Sequence, residues 1–166
     1  GYTRSVAANT LGRTYQYSTM LKDYNNSYTT SQGNAVAALM KDMGTSVQMM
    51  YHYSSSGAYD VNVVKAFTTY FQYSKAAKFA HRSSYPIDEW NELIRENLDS
   101  CGPTYYSGQS DQGGHAFVVD GYNGDYFHFS FGWGGVANGY FRCPEIEFYA
   151  NQMALLGLTP DRDDTS

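Results

Sequence analysis

The 166-residue chain is predicted to form one α+β domain, spanning residues 1–166, in which helices come first and an antiparallel sheet follows. Three segments before residue 104 repeat apolar residues at helical spacing. After that point, short aromatic and β-branched runs alternate with glycine-containing turns, a pattern typical of strands. Because the helices come first and an antiparallel sheet follows, the sequence predicts the α+β class.

The composition narrows the classes of function. Aromatic residues make up 17% of the chain and charged residues 16%, which is the profile of an ordered protein. The net charge of -5 argues against nucleic-acid binding, which needs clustered Lys and Arg. No apolar run approaches the length of a membrane span, so no membrane partner is expected. The chain opens with Gly1 and not with Met, from which we expect a processed or excised piece.

The first helix is predicted to be capped by Thr30 or Ser31 and to end at Gly44. Four apolar residues at helical spacing form its expected buried face: Val36, Leu39, Met40 and Met43. A strand is expected over residues 46–51.

The second helix is predicted to be capped by Asp60, and a short strand is expected over residues 74–81. The third helix is predicted to begin near Pro86 and to end at Gly102. The inward-facing residues expected for these two helices are Val63, Val64, Phe67 and Phe71, then Ile87, Trp90, Ile94 and Leu98.

The second part of the chain is predicted to be all strand and turn. The Asn123-Gly124 pair is a strong signal for a tight hairpin turn. Five strands are expected, at residues 104–107, 115–122, 125–131, 139–142 and 153–158.

Among the four histidines, His115 is the candidate for chemistry because of its surroundings. Gly113 and Gly114 precede it, which removes side chains from the approach to the ring. It opens an apolar strand at the rim of the predicted sheet. An exposed imidazole on a rigid support is where a general base belongs.

The predicted hairpin would bring Ser130 beside His115, where its hydroxyl could fix the tautomer of the ring. Ser130 is as readily interpreted as an ordinary strand hydroxyl. Phe131 and Trp133 are candidates for shielding the site from water, with ordinary sheet packing as the alternative.

A Cys-His hydrolase also needs a thiolate, and neither cysteine suits that role. Cys101 lies at the predicted C-terminal end of the third helix, where the dipole disfavours a thiolate. Cys143 follows a strand and precedes a proline. Both are interpreted as structural thiols, and a relocated nucleophile at either position is the weaker alternative.

Metal and nucleotide sites are not favoured. His115 and Asp120 point to opposite faces of one strand, and His128 on the next strand completes no metal-binding spacing. The glycine-rich stretch at residues 132–135 lacks the Lys-Ser/Thr of a phosphate loop. We therefore predict no metal and no cofactor.

Three sequence blocks nevertheless resemble one known family. They are GGHAFVVDG at residues 113–121, FSFGWGG at residues 129–135 and GYFR at residues 139–142. Together they are similar to the catalytic-histidine region of streptopain and interpain, bacterial cysteine peptidases with a papain-like fold. The likeness extends from about residue 15 to residue 160.

The resemblance implies that His115 is the catalytic imidazole. Ser130 stands where the family has the Asn that orients the histidine, and Phe131 where it has a shielding Trp. The expected substrate-binding positions are Ser55, Ser56, Gly57, Gly114, Ala116, Phe131 and Trp133. A Ser/Gly-rich run such as 55–57 is also typical of a plain turn.

The family's nucleophilic cysteine opens a central helix upstream of every block seen here. The resemblance therefore predicts a partial papain-like fold without that helix. The apolar faces left uncovered would be covered by a separate Cys-bearing chain or a second copy of this chain, or the fold would be reorganised. Two hypotheses remain, a secreted cysteine endopeptidase acting on polypeptides, of which this chain is the histidine part, and an inactive peptide-binding module. The replacements at Ser130 and Phe131 favour the second, and the intact His115 block favours the first.

Overall fold

The computed structural model describes residues 10–161, which divide between Gln72 and Tyr73 into two compact units. We call them the N-terminal unit, up to Gln72, and the C-terminal unit, from Tyr73. The single domain expected for the whole chain stays a prediction. No helix among the described residues is long and apolar enough to cross a membrane.

The N-terminal unit contains two α-helices, α1 at Thr30–Ser46 and α2 at Asp60–Tyr70, after a 3-10 turn at Tyr17–Thr19. Thr29 caps α1 in a capping box, in which its hydroxyl accepts from the amide of Gln32 while the Gln32 side chain accepts from the amide of Thr29. The cap is therefore Thr29, one residue before the first of the two predicted candidates.

Two predictions for α1 are wrong. Met40, expected in the core, is 67% exposed, whereas the carboxylate of Asp42 is fully buried and paired with Arg13. Gly44 does not end the helix, which continues to Ser46. The residue is a glycine for another reason: a Cβ there would lie 1.9 Å from the hydroxyl of Tyr51.

The strand predicted over residues 46–51 is also absent from the described N-terminal unit. After α1 the backbone turns at Gln48, whose φ is +56°, and then forms a single bridge between Met50 and Gly57. Asp60 is the first residue of α2 and not its cap, a position where its charge favours the helix dipole.

The C-terminal unit contains one six-stranded antiparallel sheet with the strand order β1-β6-β2-β3-β4-β5. Its elements are β1 Lys78–His81, α3 Ile87–Cys101, β2 Thr104–Ser110, β3 Gly113–Asn123, β4 Tyr126–Ser130, β5 Gly139–Phe141 and β6 Ala150–Leu156, with 3-10 turns at Arg82–Ser84 and Cys143–Glu145. All five strands predicted after residue 104 are present, with shifted ends. The architecture confirms the α+β class.

The core of this unit lies between α3 and the sheet. Trp90 and Ile94 of α3 are fully buried, as their helical spacing predicts. The indole of Trp90 donates to the hydroxyl of Tyr106 on β2, and the amide of Asn97 donates to Thr104. These polar contacts fix the helix in one register on an otherwise apolar face.

One end of the sheet concerns the function. There β1, β2 and β4 finish while β3, β5 and β6 begin, because all neighbouring strands are antiparallel. We call it the His115 end, since His115 pairs with Gly108 close to it.

Candidate active site

His115 is the third residue of β3 and is half-buried. It shares a face of the strand with Phe117 and Val119, which are in the core. Gly113 and Gly114 are exposed, and Gly113 has a φ of +127°, a conformation that favours glycine. The strand therefore holds the ring at the margin of the core while leaving an open approach along its backbone.

The Nε2 atom of His115 lies 2.8 Å from the main-chain oxygen of Phe131. A carbonyl oxygen can only accept, so Nε2 carries the proton and donates it. In the neutral ring this assigns the lone pair to Nδ1. The contact thus fixes both the orientation of the ring and the atom that can take up a proton.

Aromatic side chains surround the imidazole. The ring of Trp133 stacks on it at a centroid distance of 4.8 Å with an interplanar angle of 20°, and the ring of Phe148 lies 5.0 Å away. Gly132, with a φ of +79°, provides the turn after β4 that returns Trp133 over His115. Trp133 is 42% exposed, so it covers the ring from the solvent side. Trp133 therefore stacks on the imidazole from the solvent side, as shielding of the site from water would require.

Ser130 does not contact His115, and the predicted hydrogen bond between them is wrong. The register pairs Ser130 with Val118, so its side chain lies on the opposite face of the sheet from His115. The ring is instead held by the carbonyl of the next residue, Phe131, whose own side chain is buried in the core.

Asn138 is the residue that sequence reasoning missed. Its Oδ1 accepts from the amide of Phe131 at 2.9 Å, and its Nδ2 lies 3.3 Å from the hydroxyl of Ser130. One side chain thus holds the end of β4, including the residue whose carbonyl orients His115. An isolated Asn-Gly pair before a strand was the only signal in the sequence, and it indicates a turn more readily than a support.

Within residues 10–161 neither cysteine forms a hydrogen bond with the His115 ring. Cys143 is fully buried in the core, and this burial raises the pKa of its thiol to about 11. Cys101 is the last residue of α3 and lies beside the hydroxyl of Ser100. Both positions agree with the interpretation as structural thiols.

The remaining predicted substrate-binding residues belong to two different units. Ser55, Ser56 and Gly57 are exposed in the N-terminal unit. Gly114 neighbours His115 on β3, while Ala116 projects from the opposite face of that strand. Their roles stay predictions.

Another histidine on this sheet, His128 of β4, lies with its Nδ1 2.5 Å from Oδ1 of Asp120. Within residues 10–161 no group of three or more His, Cys, Asp and Glu side chains could hold a metal ion. The pair lies on the face of the β3–β4 hairpin that is turned away from the buried side chains of Phe127 and Phe129.

Known proteins resemble this chain over most of its length. The model of the peptidase C10 family matches residues 2–141. The chain is 37% identical over 140 residues to the thiol protease/hemagglutinin PrtT of Porphyromonas gingivalis, covering 84% of this chain and 16% of that protein. It is 33% identical over 161 residues to streptopain of Streptococcus pyogenes, covering 89% of this chain and 40% of that protein. The chain thus spans less than half the length of these curated relatives.

Solved structures agree with the sequence matches. The structure of active wild-type interpain A cysteine protease of Prevotella intermedia superposes with a TM-score of 0.79 at 29% identity, covering 89% of this chain and 65% of that one. A prointerpain A fragment superposes with a TM-score of 0.76 at 30% identity, covering 90% and 50%. These matches confirm the resemblance to streptopain and interpain and the fold class.

Proposed function

The chain belongs to the peptidase C10 family, and we propose that it acts in a cysteine endopeptidase as the part that carries the general base, His115. The observation that supports this role most strongly is the hydrogen bond from Nε2 to the Phe131 carbonyl. It leaves Nδ1 as the basic atom of a ring that is fixed in orientation and stacked against Trp133.

In the proposed reaction, Nδ1 of His115 takes the proton of a cysteine thiol, and the resulting thiolate attacks the carbonyl carbon of a peptide bond. The imidazolium then gives this proton to the leaving amine. Water, deprotonated at the same nitrogen, hydrolyses the acyl-enzyme and returns the free thiol. Throughout, the Phe131 carbonyl accepts from Nε2 and stabilises the imidazolium without taking its proton.

The nucleophile is proposed to come from a polypeptide segment outside the 166 residues, either on a separate chain or on a further stretch of the same polypeptide. Two features of the chain support this. Burial keeps the Cys143 thiol protonated, and Cys101 lies at the end of α3 that disfavours a thiolate. An extracellular location is part of the same proposal.

The second hypothesis, an inactive binding module, rested on the replacements at Ser130 and Phe131. The geometry weakens that reasoning. Because a main-chain carbonyl orients His115, the side chains at these two positions can change while the contact is kept. The replacements therefore agree with a functional base.

The proposal is tested by the hydrolysis of an unstructured protein. The chain alone is compared with the chain fused behind the Cys-bearing segment of interpain A, and His115→Ala in the fusion is the matched control. We expect no cleavage by the chain alone, cleavage by the fusion, and loss of cleavage on His115→Ala. A folded fusion that cleaves equally well without His115 would contradict the assigned role. A folded fusion without any activity would favour the binding module.

A further inference from the structure

Phe148 lies beside the imidazole although its segment belongs to no helix or strand. Residues 146–149 follow the 3-10 turn Cys143–Glu145 and precede β6. Phe148 is nevertheless buried, and its ring lies 5.0 Å from the ring of His115. Because this backbone is outside the helices and the sheet, other groups must satisfy its buried carbonyls if Phe148 is to stay in place.

Gln152 on β6 supplies hydrogen bonds to these carbonyls. Its Nε2 donates to the carbonyl oxygen of Phe148 at 3.0 Å and to that of Cys143 at 2.7 Å. A side-chain amide has two hydrogens on this nitrogen, enough for both acceptors. The two carbonyls belong to the first and last residues of the stretch 143–148, which we call the Phe148 segment. One side chain thus ties both ends of this segment to β6.

Gln152 is itself fixed in the core. It is 3% exposed, and its Oε1 accepts from the hydroxyl of Tyr106 at 2.9 Å. The same hydroxyl accepts from the indole of Trp90. This buried chain of hydrogen bonds satisfies both ends of the Gln152 amide and so sets its orientation.

The main chain of Phe148 also lies very close to β2. A Cβ atom at Gly108 would lie 2.3 Å from the carbonyl oxygen of Phe148, a separation that only the absence of a side chain permits. Gly108 is the register partner of His115 on β3. The glycine therefore lets the backbone of Phe148 approach the strand next to His115.

The ring of Phe148 neighbours every aromatic group that holds the imidazole. At centroid distances of 5.6 to 6.1 Å it contacts Phe117, Trp133 and Phe131. Phe131 provides the carbonyl that accepts from Nε2 of His115, and Trp133 stacks on the imidazole. Displacement of Phe148 would leave a gap beside all of these rings, because a well-packed cluster has no spare atoms to fill it.

We infer that Gln152 is a positioning residue of the active site. It holds Phe148 against His115 and so keeps the imidazole in the orientation in which Nδ1 is the base. The consequence for catalysis rests on the proposed function, whereas the positioning itself does not. If Gln152 only stabilised the fold, any break in its buried hydrogen-bond chain would affect His115 alike. The positioning role requires that only the bonds to the Phe148 segment matter.

The test compares Gln152→Met with Tyr106→Phe in the ¹³C,¹⁵N-labelled 166-residue chain. Gln152→Met removes both donors to the Phe148 segment at nearly constant volume. Tyr106→Phe is the matched control, since it breaks the same buried chain while both donors remain. Both variants should lower the denaturant midpoint, because each leaves buried polar groups unpaired. NMR then measures the nuclear Overhauser effect between the rings of His115 and Phe148, and the tautomer of the imidazole.

We expect Gln152→Met to weaken the His115–Phe148 signal and to populate a second tautomer, whereas Tyr106→Phe preserves both. In the fusion with the Cys-bearing segment, Gln152→Met should lower kcat by about tenfold or more at nearly constant KM, and Tyr106→Phe by less than about twofold. Unchanged His115 signals in a folded Gln152→Met chain would overturn the inference. Equal changes in the two variants would do the same.

Gly108→Ala displaces the Phe148 segment without removing a hydrogen-bond donor. The added methyl group meets the carbonyl of Phe148, so the His115–Phe148 signal should weaken here too. Gly121→Ala is its control, since a Cβ there lies at an ordinary 3.8 Å from the Cβ of His128. A signal that survives Gly108→Ala unchanged would show that the segment does not bear on His115 as described.

The wild-type chain keeps the inference falsifiable if a variant does not fold. The side-chain amide hydrogens of Gln152 should exchange with solvent about tenfold or more slowly than those of the exposed Gln112. Equally fast exchange would overturn the clamp.

The NMR signals of the chain do not depend on catalysis. An inactive fusion together with the expected changes at His115 would therefore count against the proposed function alone.

Discussion

The Nε2 of His115 and the main-chain oxygen of Phe131, 16 residues apart in the sequence, lie 2.8 Å from each other across the start of β3 and the end of β4. This contact assigns the proton to Nε2 and the basic lone pair to Nδ1. A main-chain group thus takes the orienting role that the sequence suggested for the Ser130 hydroxyl.

The first prediction concerns the tautomer. We expect the neutral ring of His115 to carry its proton on Nε2, observed as the pattern of long-range ¹H–¹⁵N couplings of the imidazole by NMR. Ser130→Ala should leave the tautomer unchanged, because that side chain lies on the other face of the sheet. A ring protonated on Nδ1, or a tautomer that changes on Ser130→Ala, would contradict the assignment.

The second prediction concerns Asn138. Asn138→Ala removes the acceptor of the Phe131 amide, so this amide should exchange its hydrogen with solvent about tenfold faster. The free energy of unfolding should fall by about 1–2 kcal/mol. The His115 ring should also lose its single tautomer, which a purely structural role elsewhere would not cause.

Asn138→Asp is the matched control, since it keeps the acceptor at Oδ1 and removes only the Nδ2 group that donates to the Ser130 hydroxyl. We expect it to preserve the slow exchange of the Phe131 amide. If both variants behave alike, Asn138 does not hold Phe131 through this hydrogen bond.

The third prediction separates the fold from the site. Phe131 is 5% exposed and packs against Phe117, Phe129 and Phe148, so Phe131→Ala should lower the free energy of unfolding by about 3–5 kcal/mol. Trp133→Ala, at a position 42% exposed, should cost only about 1 kcal/mol while uncovering the imidazole. Denaturant unfolding measures both, and equal costs would show that the packing described for Phe131 is not the native one.

The fourth prediction concerns alkaline pH. Burial raises the pKa of the Cys143 thiol to about 11, whereas a thiol in the unfolded chain ionises near about 8.5. Between these two pH values the folded chain binds more protons than the unfolded chain, so its stability falls as the pH rises. The expected loss is about 2–3 kcal/mol, and burial raises the pKa of Tyr106 with the same sign.

Denaturation at a series of pH values from about 8 to 11 checks this dependence. Cys143→Ala should flatten the decline, whatever its effect on stability at neutral pH. Replacement of Cys101 by Ala should not flatten it. An unchanged slope in the Cys143 variant would show that the thiol is not buried in the folded chain.

The sequence predicted the C-terminal unit better than the N-terminal unit. In α3 the apolar spacing of Trp90 and Ile94 matches their burial, because the helix packs on a continuous sheet. In α1 the most buried side chain is Asp42, whose partner Arg13 lies 29 residues away. A pairing at that separation leaves no periodic pattern, so apolar spacing alone could not identify Asp42 as buried, although three of the four predicted apolar residues, Val36, Leu39 and Met43, are partly buried.

The error at Ser130 has a similarly specific cause. A turn at Asn123-Gly124 would pair Ser130 with Phe117, on the face of His115. The actual turn occupies residues 124–125, and a bulge between Val119 and Gly121 shifts the pairing again, which places Ser130 opposite Val118. A net slip of one residue moves every side chain to the other face. His115 itself was recognisable because the glycines before it and the family blocks around it are local features.

The most direct test of the central claim, that His115 serves a nucleophile outside this chain, is thiol labelling of the 166-residue chain from about pH 4 to 9, read by mass spectrometry. We predict that neither Cys101 nor Cys143 is labelled rapidly below about pH 7, and that His115→Ala changes neither rate. Rapid labelling of one cysteine at low pH that His115→Ala abolishes would contradict the claim, because it would place the complete Cys-His pair within these residues.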